Sequence, residues 1–500
     1  MKKIRIAICD KDAEYTRQLV NYIAIKEGDS FEVLGFPNET LYQKDKIGFD
    51  VLLYEETFFQ NEEETEKCFE YAKGYAKFLD NGKTERECVK TAVALLEEKG
   101  FIPFEFGMQV NAGEKYYYNN RGKSLAAFIV GSESLESGVY MSAAHIDSPR
   151  IDLKQHPLYE ADGFGFFKTH YYGGIKKYQW TTIPLAIHGV VAKKDGSVVE
   201  VVVGEDDNDP VFYITDLLPH LAGGQMAKTG GNIIAGEQLN ILIGSRPYSV
   251  KTGDAVKLNI MKILNDKYGI TEGDFMSAEL EMVPANKARD IGFDRSLIGA
   301  YGHDDRVCAY PTLTALMETE NPKHTVMAIL ADKEEIGSEG NSGMKSAVYF
   351  DIIADMANTL GVSDAVVRRS SKCLSSDVNA AYDPNFAEVH ERRNSCFANG
   401  GVVITKFTGS RGKSGSNDAS AEFMGFVRSV LDDAGVVWQT SELGKVDAGG
   451  GGTVAMYIAQ KNVDVVDLGV PVLSMHAPYE VVAKTDVYMT HKAIAAFFAK

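Results

Sequence analysis

Gly138-Val-Tyr-Met-Ser-Ala-Ala-His-Ile-Asp-Ser-Pro-Arg150 reads as a short, mostly apolar strand over Gly138 to Ala143 that runs directly into a histidine and an acid. A continuous apolar run of this length, bounded by turn residues, suits a strand covered on both faces. Ala126 to Val130 gives a second such strand. From Ala288 onward strands alternate with helices: helical Ala309 to Glu318 and Gly340 to Met356 flank the strand Val326 to Ala331, and Asn417 to Ala434 and Val454 to Ile458 continue the alternation. That pattern predicts an α/β sheet with helices on both faces.

Between these blocks the texture changes. Leu153 to Pro284 is β-rich, with strand-like Thr181 to His188, Val198 to Val203 and Val256 to Leu264 broken by turns such as Gly204-Glu-Asp-Asp-Asn-Asp-Pro210. The simplest reading is a β insertion (153–284) splitting one α/β domain into segments 60–152 and 285–500. Gln60 to Lys99 is strongly helical, and Thr84 is placed to cap its second helix.

Residues 1–59 read as a short β-α-β-α-β extension: strand Ile4 to Ile8, an amphipathic stretch Ala13 to Glu27, and strands Phe31 to Phe36 and Asp50 to Tyr54. This segment resembles the first half of a response-regulator receiver domain. Asp10 and Asp12 stand where such domains keep an acidic metal pocket, and Glu55 stands where the phospho-acceptor Asp would be. With Glu in that place and the second half missing, a degenerate remnant is expected rather than a phosphorylation switch.

The chain has 500 residues, 45% of them hydrophobic and 24% charged, with a formal charge of −18. The length predicts several domains and a large core. The acidity removes the electrostatic footprint of nucleic-acid binding and argues against an anionic membrane face. The six cysteines form no CxxC and read as thiols of a reducing compartment. The first residues lack a signal-peptide pattern, and no apolar run is long enough to span a bilayer. A cytoplasmic protein is expected.

Five islands of acids and histidines lie at strand ends or turns: His145-Ile-Asp147, His303-Asp304-Asp305-Arg306, Asp332-Lys-Glu334-Glu335, Ser375-Ser-Asp377 and Met475-His476. In α/β sheets ligands bind beyond the carboxyl ends of strands. Imidazole and carboxylate donors without cysteine suit zinc, and less selectively cobalt or manganese. A two-metal hydrolase needs a carboxylate shared by both ions, a His and a carboxylate on each side, and a further carboxylate to take a proton from water. Adjacent Glu334 and Glu335 must point in different directions, so one can hold metal while the other faces the water. Each island alone is weak, since a lone His-x-Asp is more often a structural pair and an acidic doublet is usually solvated. His303 is expected to stay outside a metal shell.

Together the islands resemble the aspartyl aminopeptidase family of di-zinc metallopeptidases over roughly Gln60 to Lys500. The resemblance implies a zinc-peptidase-like mixed sheet flanked by helices, split by an oligomerisation insertion. It implies two Zn2+ per subunit: His145 as a terminal ligand with Asp147 orienting it, Asp304 as the bridging carboxylate, Glu335, Asp377 and His476 as further ligands, and Glu334 as general base. A His from the insertion reaches a neighbouring subunit's active site in this family, and His188 is the matching position; a polar residue ending a strand is the alternative. Peptides with a free N-terminus are the implied substrates. Preference for an acidic first residue requires a cation, and Arg411 and Lys413 in Gly409-Ser-Arg-Gly-Lys-Ser-Gly-Ser-Asn417 lie near the expected place, a solvated basic turn being the alternative. The rival functions are a related di-metal carboxypeptidase or deacylase, and a signalling scaffold with an inert peptidase-like domain.

The phosphate-loop reading of Gly409 to Ser414 fails because position 407 is Phe, and Gly224 to Thr229 fails at Ala227. The tetraglycine Gly449 to Gly452 is expected to let backbone approach substrate or metal closely, with a plain flexible loop as the alternative.

Overall fold

The computed structural model describes residues 3–9, 13–28, 30–36, 51–54, 62–249 and 253–500. It divides into two compact units, Met1–Thr65 and Glu66–Lys500. In the first unit, strand Ile4–Cys9 lies between Phe31–Phe36 and Val51–Tyr54, parallel to both. That 2-1-3 strand order is how one common doubly wound sheet begins. Asp10, Asp12 and Glu55 fall outside the described residues.

The second unit is built on a nine-stranded mixed sheet. Its order is Trp438–Thr440, Val402–Thr405, Asp464–Gly469, Lys372–Ser376, Val139–His145, Thr325–Ala331, Ser124–Ile129, Lys115–Asn120, Ile102–Pro103. The four strands Asp464–Gly469, Lys372–Ser376, Val139–His145 and Thr325–Ala331 run parallel at its centre. Every residue of Val139–His145 and Thr325–Ala331 is buried, as two-sided coverage requires. Helices His303–Glu318, Val348–Thr359, Ala421–Asp433 and Lys484–Phe498 accompany this sheet. Their arrangement follows the expected α/β alternation.

Ahead of the sheet, helices Glu62–Asn81 and Glu85–Glu98 stand where the charged, periodic segment predicted them. Thr84 closes a capping box: its hydroxyl accepts the Glu87 N–H at 3.2 Å, and the Glu87 carboxylate accepts the Thr84 N–H at 3.1 Å.

A second sheet, six-stranded and antiparallel, runs Val198–Val203, Leu185–Ala192, Ala278–Pro284, Arg150–Ala161, Phe164–Tyr172, Ile241–Gly244. It buries its own apolar set, including Ile151, Trp180, Leu185, Ile241, Leu280 and Met282. One expectation fails in this region. Val256 to Leu264, rich in β-branched residues, forms part of the helix Ala255–Tyr268. The Glu160 carboxylate accepts the Val256 and Lys257 N–H groups at 2.7 and 3.0 Å, and Gly269 terminates the helix at φ +64°. An anion supplied from another element thus anchors the positive end of the helix.

A third, five-stranded sheet orders Arg289–Ile291, Leu297–Ala300, Glu480–Ala483, Pro471–Leu473, Asn379–Ala380. Its strands lead into two of the islands, at Asp304 and His476. Among the described residues no helix is long and apolar enough to cross a membrane.

Candidate metal centre

Three parallel strands deliver three islands to one place. Val139–His145 ends in His145, Thr325–Ala331 leads to Glu334 and Glu335, and Lys372–Ser376 leads to Asp377. The five-stranded sheet adds Asp304, just after Leu297–Ala300, and His476, in the turn between Pro471–Leu473 and Glu480–Ala483.

Asp304 stands between the two histidines. Its Oδ1 lies 3.1 Å from His145 Nε2, and its Oδ2 lies 3.1 Å from His476 Nε2. On the His145 side, Asp377 Oδ1 is 3.8 Å and Glu334 Oε2 4.0 Å from the same Nε2. On the His476 side, Glu335 Oε1 is 3.6 Å from Nε2. The donor atoms of Asp304, Glu335 and His476 all fall within 4.8 Å of one another, as do those of His145, Asp305 and Asp377.

The tautomers are set by what each ring meets on its far side. His145 Nδ1 lies 3.0 Å from the Asp147 carbonyl and 3.3 Å from its carboxylate. His476 Nδ1 donates to the Gly174 carbonyl at 2.8 Å. Both rings therefore keep the proton on Nδ1 and turn Nε2 toward Asp304, the arrangement metal-binding imidazoles use.

Asp147 organises the next island as well. Its Oδ1 accepts the Glu334 N–H at 3.1 Å, and its Oδ2 accepts the Glu335 N–H at 3.2 Å. The doublet sits on a 3-10 turn entered through Lys333 at φ +65°. The two acids differ in exposure, 3% for the Glu335 side chain and 20% for that of Glu334, but they do not diverge as expected: a carboxylate oxygen of each lies within 4.8 Å of the other and of a His145 ring nitrogen.

The electrostatics call for cations. Burial pushes the Glu334 carboxyl up to about 7 and that of Glu480 to about 8. Burial likewise holds Asp305, Glu335 and Asp377 well above the usual carboxylate range. Asp304 and Asp147 are exceptions: burial raises both, but hydrogen bonds to His145 and His476 keep Asp304 low, and those to His145 and Tyr172 keep Asp147 low. Burial opposes charge on His476 too, yet Asp304 and Glu335 raise it to about 10. Two imidazoles thus face a larger group of carboxylates in a space with little water. Glu335 Oε1 and Asp305 Oδ1 are buried with no hydrogen-bond partner, an expense that a bound cation would offset. Residue types, crowding and orphaned oxygens fit a pair of divalent ions.

Not every anticipated residue joins this group. His188 is 2% exposed, with Nδ1 2.7 Å from Glu87 Oε1 and Nε2 3.0 Å from Glu205 Oε1. Both ring nitrogens thus meet carboxylates of their own chain. Arg411 and Lys413, both at positive φ, line a small cleft with Glu442, Lys445 and Gly449. Lys413 pairs with Asp418 at 3.1 Å and stacks on Phe407; among the described residues neither cation bonds to the histidine–carboxylate group. The tetraglycine packs on that same loop: a Cβ at Gly450 would lie 2.0 Å from the Gly409 carbonyl. Its close approach is therefore to backbone rather than to the metal centre.

His303 stays outside, as expected. It is fully buried between the Tyr75 hydroxyl at 2.6 Å and the Ile298 carbonyl at 3.1 Å. Three participants escape sequence reasoning. Asp305 accepts the His145 N–H at 3.3 Å. Glu480 accepts the N–H groups of His476 at 2.7 Å and Asp304 at 3.2 Å. Tyr172 donates its hydroxyl to Asp147 Oδ2 at 2.8 Å. The His476-to-Glu480 spacing was a signal open to sequence reading; nothing in the sequence connects Tyr172 to Asp147.

Comparison with known proteins places this arrangement. The sequence model of the family described as "Aminopeptidase I zinc metalloprotease (M18)" matches residues 78–498. A probable M18 family aminopeptidase 1 of Clostridium acetobutylicum is 51% identical over 448 residues, covering 87% of this chain and 96% of that protein. The crystal structure of the M18 aminopeptidase of Thermotoga maritima superposes with a TM-score of 0.86 at 44% identity, covering 89% of this chain and 99% of the other. A structure of the S. cerevisiae mApe1 dodecamer shares the fold at 22% identity, with a TM-score of 0.70 over 85% of this chain and 96% of that one. The first compact unit lies outside the family match.

Proposed function

The chain belongs to the M18 family of zinc metalloaminopeptidases, and from that premise we propose that it removes N-terminal residues from peptides with Glu334 as the general base beside two zinc ions. The observation that carries this reading is Asp304, whose two oxygens face two separate histidine nitrogens at equal distance. His145, Asp304 and Asp377 would hold one ion, and Asp304, Glu335 and His476 the other. The same donors accept cobalt or manganese with modest discrimination. Bound zinc supplies Lewis acidity toward the scissile carbonyl and the attacking water.

The remaining work falls to the chain's own groups. Asp147 fixes the backbone of the Glu334–Glu335 turn and the ring of His145 together. Glu334, the more open of the two acids, takes a proton from the attacking water on Oε2 and hands it to the departing amine nitrogen. Excess carboxylate around the ions also favours the cationic free amine of a peptide.

The preferred first residue is proposed to be Asp or Glu, with Arg411 and Lys413 as the candidate cations. The six-stranded sheet is proposed to mediate homo-oligomer formation; the dodecameric relative supports a closed assembly. A cytoplasmic location and a receiver-like remnant in residues 1–59 complete the proposal. The test is turnover of Asp-, Glu-, Leu- and Lys-initiated peptides, each free and N-acetylated, with and without added zinc. Cleavage of free acidic-start peptides alone is the expected result. Cleavage of the acetylated forms would favour a deacylase or carboxypeptidase, and an inert, metal-free protein would favour a scaffold.

A further inference from the structure

The C-terminal end of one strand of the six-stranded sheet touches both halves of the metal centre. Strand Phe164–Tyr172 ends at the site, and three consecutive residues there make three separate contacts. The Tyr172 hydroxyl donates to Asp147 Oδ2 at 2.8 Å. Gly173, at φ +76°, leaves room for Glu335: a Cβ would stand 3.2 Å from Glu335 Oε2. The Gly174 carbonyl accepts from His476 Nδ1 at 2.8 Å. The segment Tyr172-Gly173-Gly174 thus orients a group on the His145 side and the histidine on the other.

The tyrosine is itself fixed from behind. The Arg150 guanidinium lies over its ring, 3.8 Å from the centroid. Arg150 pairs with Asp152 at 2.8 Å and Glu281 at 3.1 Å, so it is anchored to strands Arg150–Ala161 and Ala278–Pro284 of the same sheet. Tyr172 and Arg150 are also direct cross-strand partners. The ring therefore has a defined position, and its hydroxyl one acceptor at the site.

We propose that Tyr172 is a positioning residue of the peptidase reaction: it holds the Asp147 carboxylate that aligns His145 and the Glu334–Glu335 turn, and so makes the six-stranded sheet part of the catalytic apparatus. The proposal rests on the reading of Glu334 and the ligand set given above. Outer groups that orient metal-binding side chains affect metal retention as well as turnover, and this separates positioning from simple packing.

The experiment compares the wild-type chain with Tyr172→Phe, which keeps the ring beneath Arg150 and removes only the hydroxyl. Tyr171→Phe, at the exposed neighbouring position, is the control. Three quantities are read: kcat and KM on a free-amine peptide, and the half-time of zinc loss to a chelator. For Tyr172→Phe, kcat falls about tenfold and zinc loss quickens about tenfold, while KM stays within about twofold because no substrate contact is removed. Tyr171→Phe matches the wild type in both. Either kcat or the zinc-loss half-time remaining within about twofold of wild type in Tyr172→Phe, or an equal change in Tyr171→Phe, overturns the proposal. A wild-type chain that cleaves no peptide contradicts the functional reading instead, and the zinc-loss comparison alone then decides the role of Tyr172.

Discussion

Asp147 Oδ1 accepts the backbone N–H of Glu334 at 3.1 Å, so the acid that meets the His145 ring also sets where the Glu334 side chain begins. The same carboxylate takes the next N–H, that of Glu335, on its other oxygen. The backbones of Glu334 and Glu335 are thereby fixed relative to each other by one buried group.

Glu334→Gln keeps the shape and removes the proton acceptor. Zinc content should match the wild type, because Glu334 is not among the proposed ligands. Turnover should fall by about 10²- to 10⁴-fold, measured as kcat on an Asp-initiated peptide with zinc assayed in the same sample. Near-normal turnover would remove Glu334 from the mechanism.

Glu480 clamps the backbone of Asp304 and His476 from within the fold, and it is 1% exposed. Glu480→Gln leaves one of those N–H groups without an acceptor, at a cost of about 1–3 kcal/mol. A lowered Tm together with weaker zinc retention is expected. An unchanged zinc affinity would confine Glu480 to a purely structural role.

His188 gives a pH signature far from the metal centre. Burial pulls its pKa down, but hydrogen bonds to Glu205 and Glu87 outweigh this and raise it above the ordinary value. Its contribution to stability is therefore complete below about pH 6.5 and is lost as pH climbs through the raised folded value. Glu205 has the opposite sign: burial raises it, while His188 and Lys83 hold it below the usual range. Its contribution is lost as pH falls through that lowered value. Tm measured against pH should decline on both sides, and His188→Gln should flatten the alkaline limb. An alkaline limb identical in the variant would discard this assignment.

Arg411→Ala and Lys413→Ala test the acidic preference. If these cations read the first side chain, kcat/KM for Asp-initiated peptides should fall by about tenfold or more, with Leu-initiated peptides spared. Lys413 already has Asp418 and Phe407 as neighbours, so the larger effect is expected at Arg411. Equal losses on both peptides would assign the loop to structure.

Much of this was legible in the sequence where local pattern and burial agree. The apolar runs at 139–145 and 325–331 are strands because both faces are covered, and three of the islands converge because parallel strands share one carboxyl end, while the five-stranded sheet brings Asp304 and His476. The insertion was harder to read. Val256 to Leu264 reads as a strand from its apolar content, although Val256, Ile260, Ile263 and Leu264 recur at helical spacing, and the Glu160 carboxylate anchors the start of the helix it forms. His188 matched by its local motif, yet its partners Glu87 and Glu205 are supplied from elsewhere in the chain. Tyr172 and Glu480 were missed for a related reason. Each acts by a hydrogen bond across the fold, and such pairings leave little trace in spacing or periodicity.

Asp304 carries the central claim, since its two oxygens face His145 and His476 at 3.1 Å each. Zinc stoichiometry per folded chain, measured by elemental analysis in the wild type and in Asp304→Asn, tests it most directly. The account expects about two equivalents in the wild type and no more than about one in the variant, with turnover lowered about a thousandfold. A wild-type chain saturating at a single equivalent, or a variant that keeps both, would contradict it.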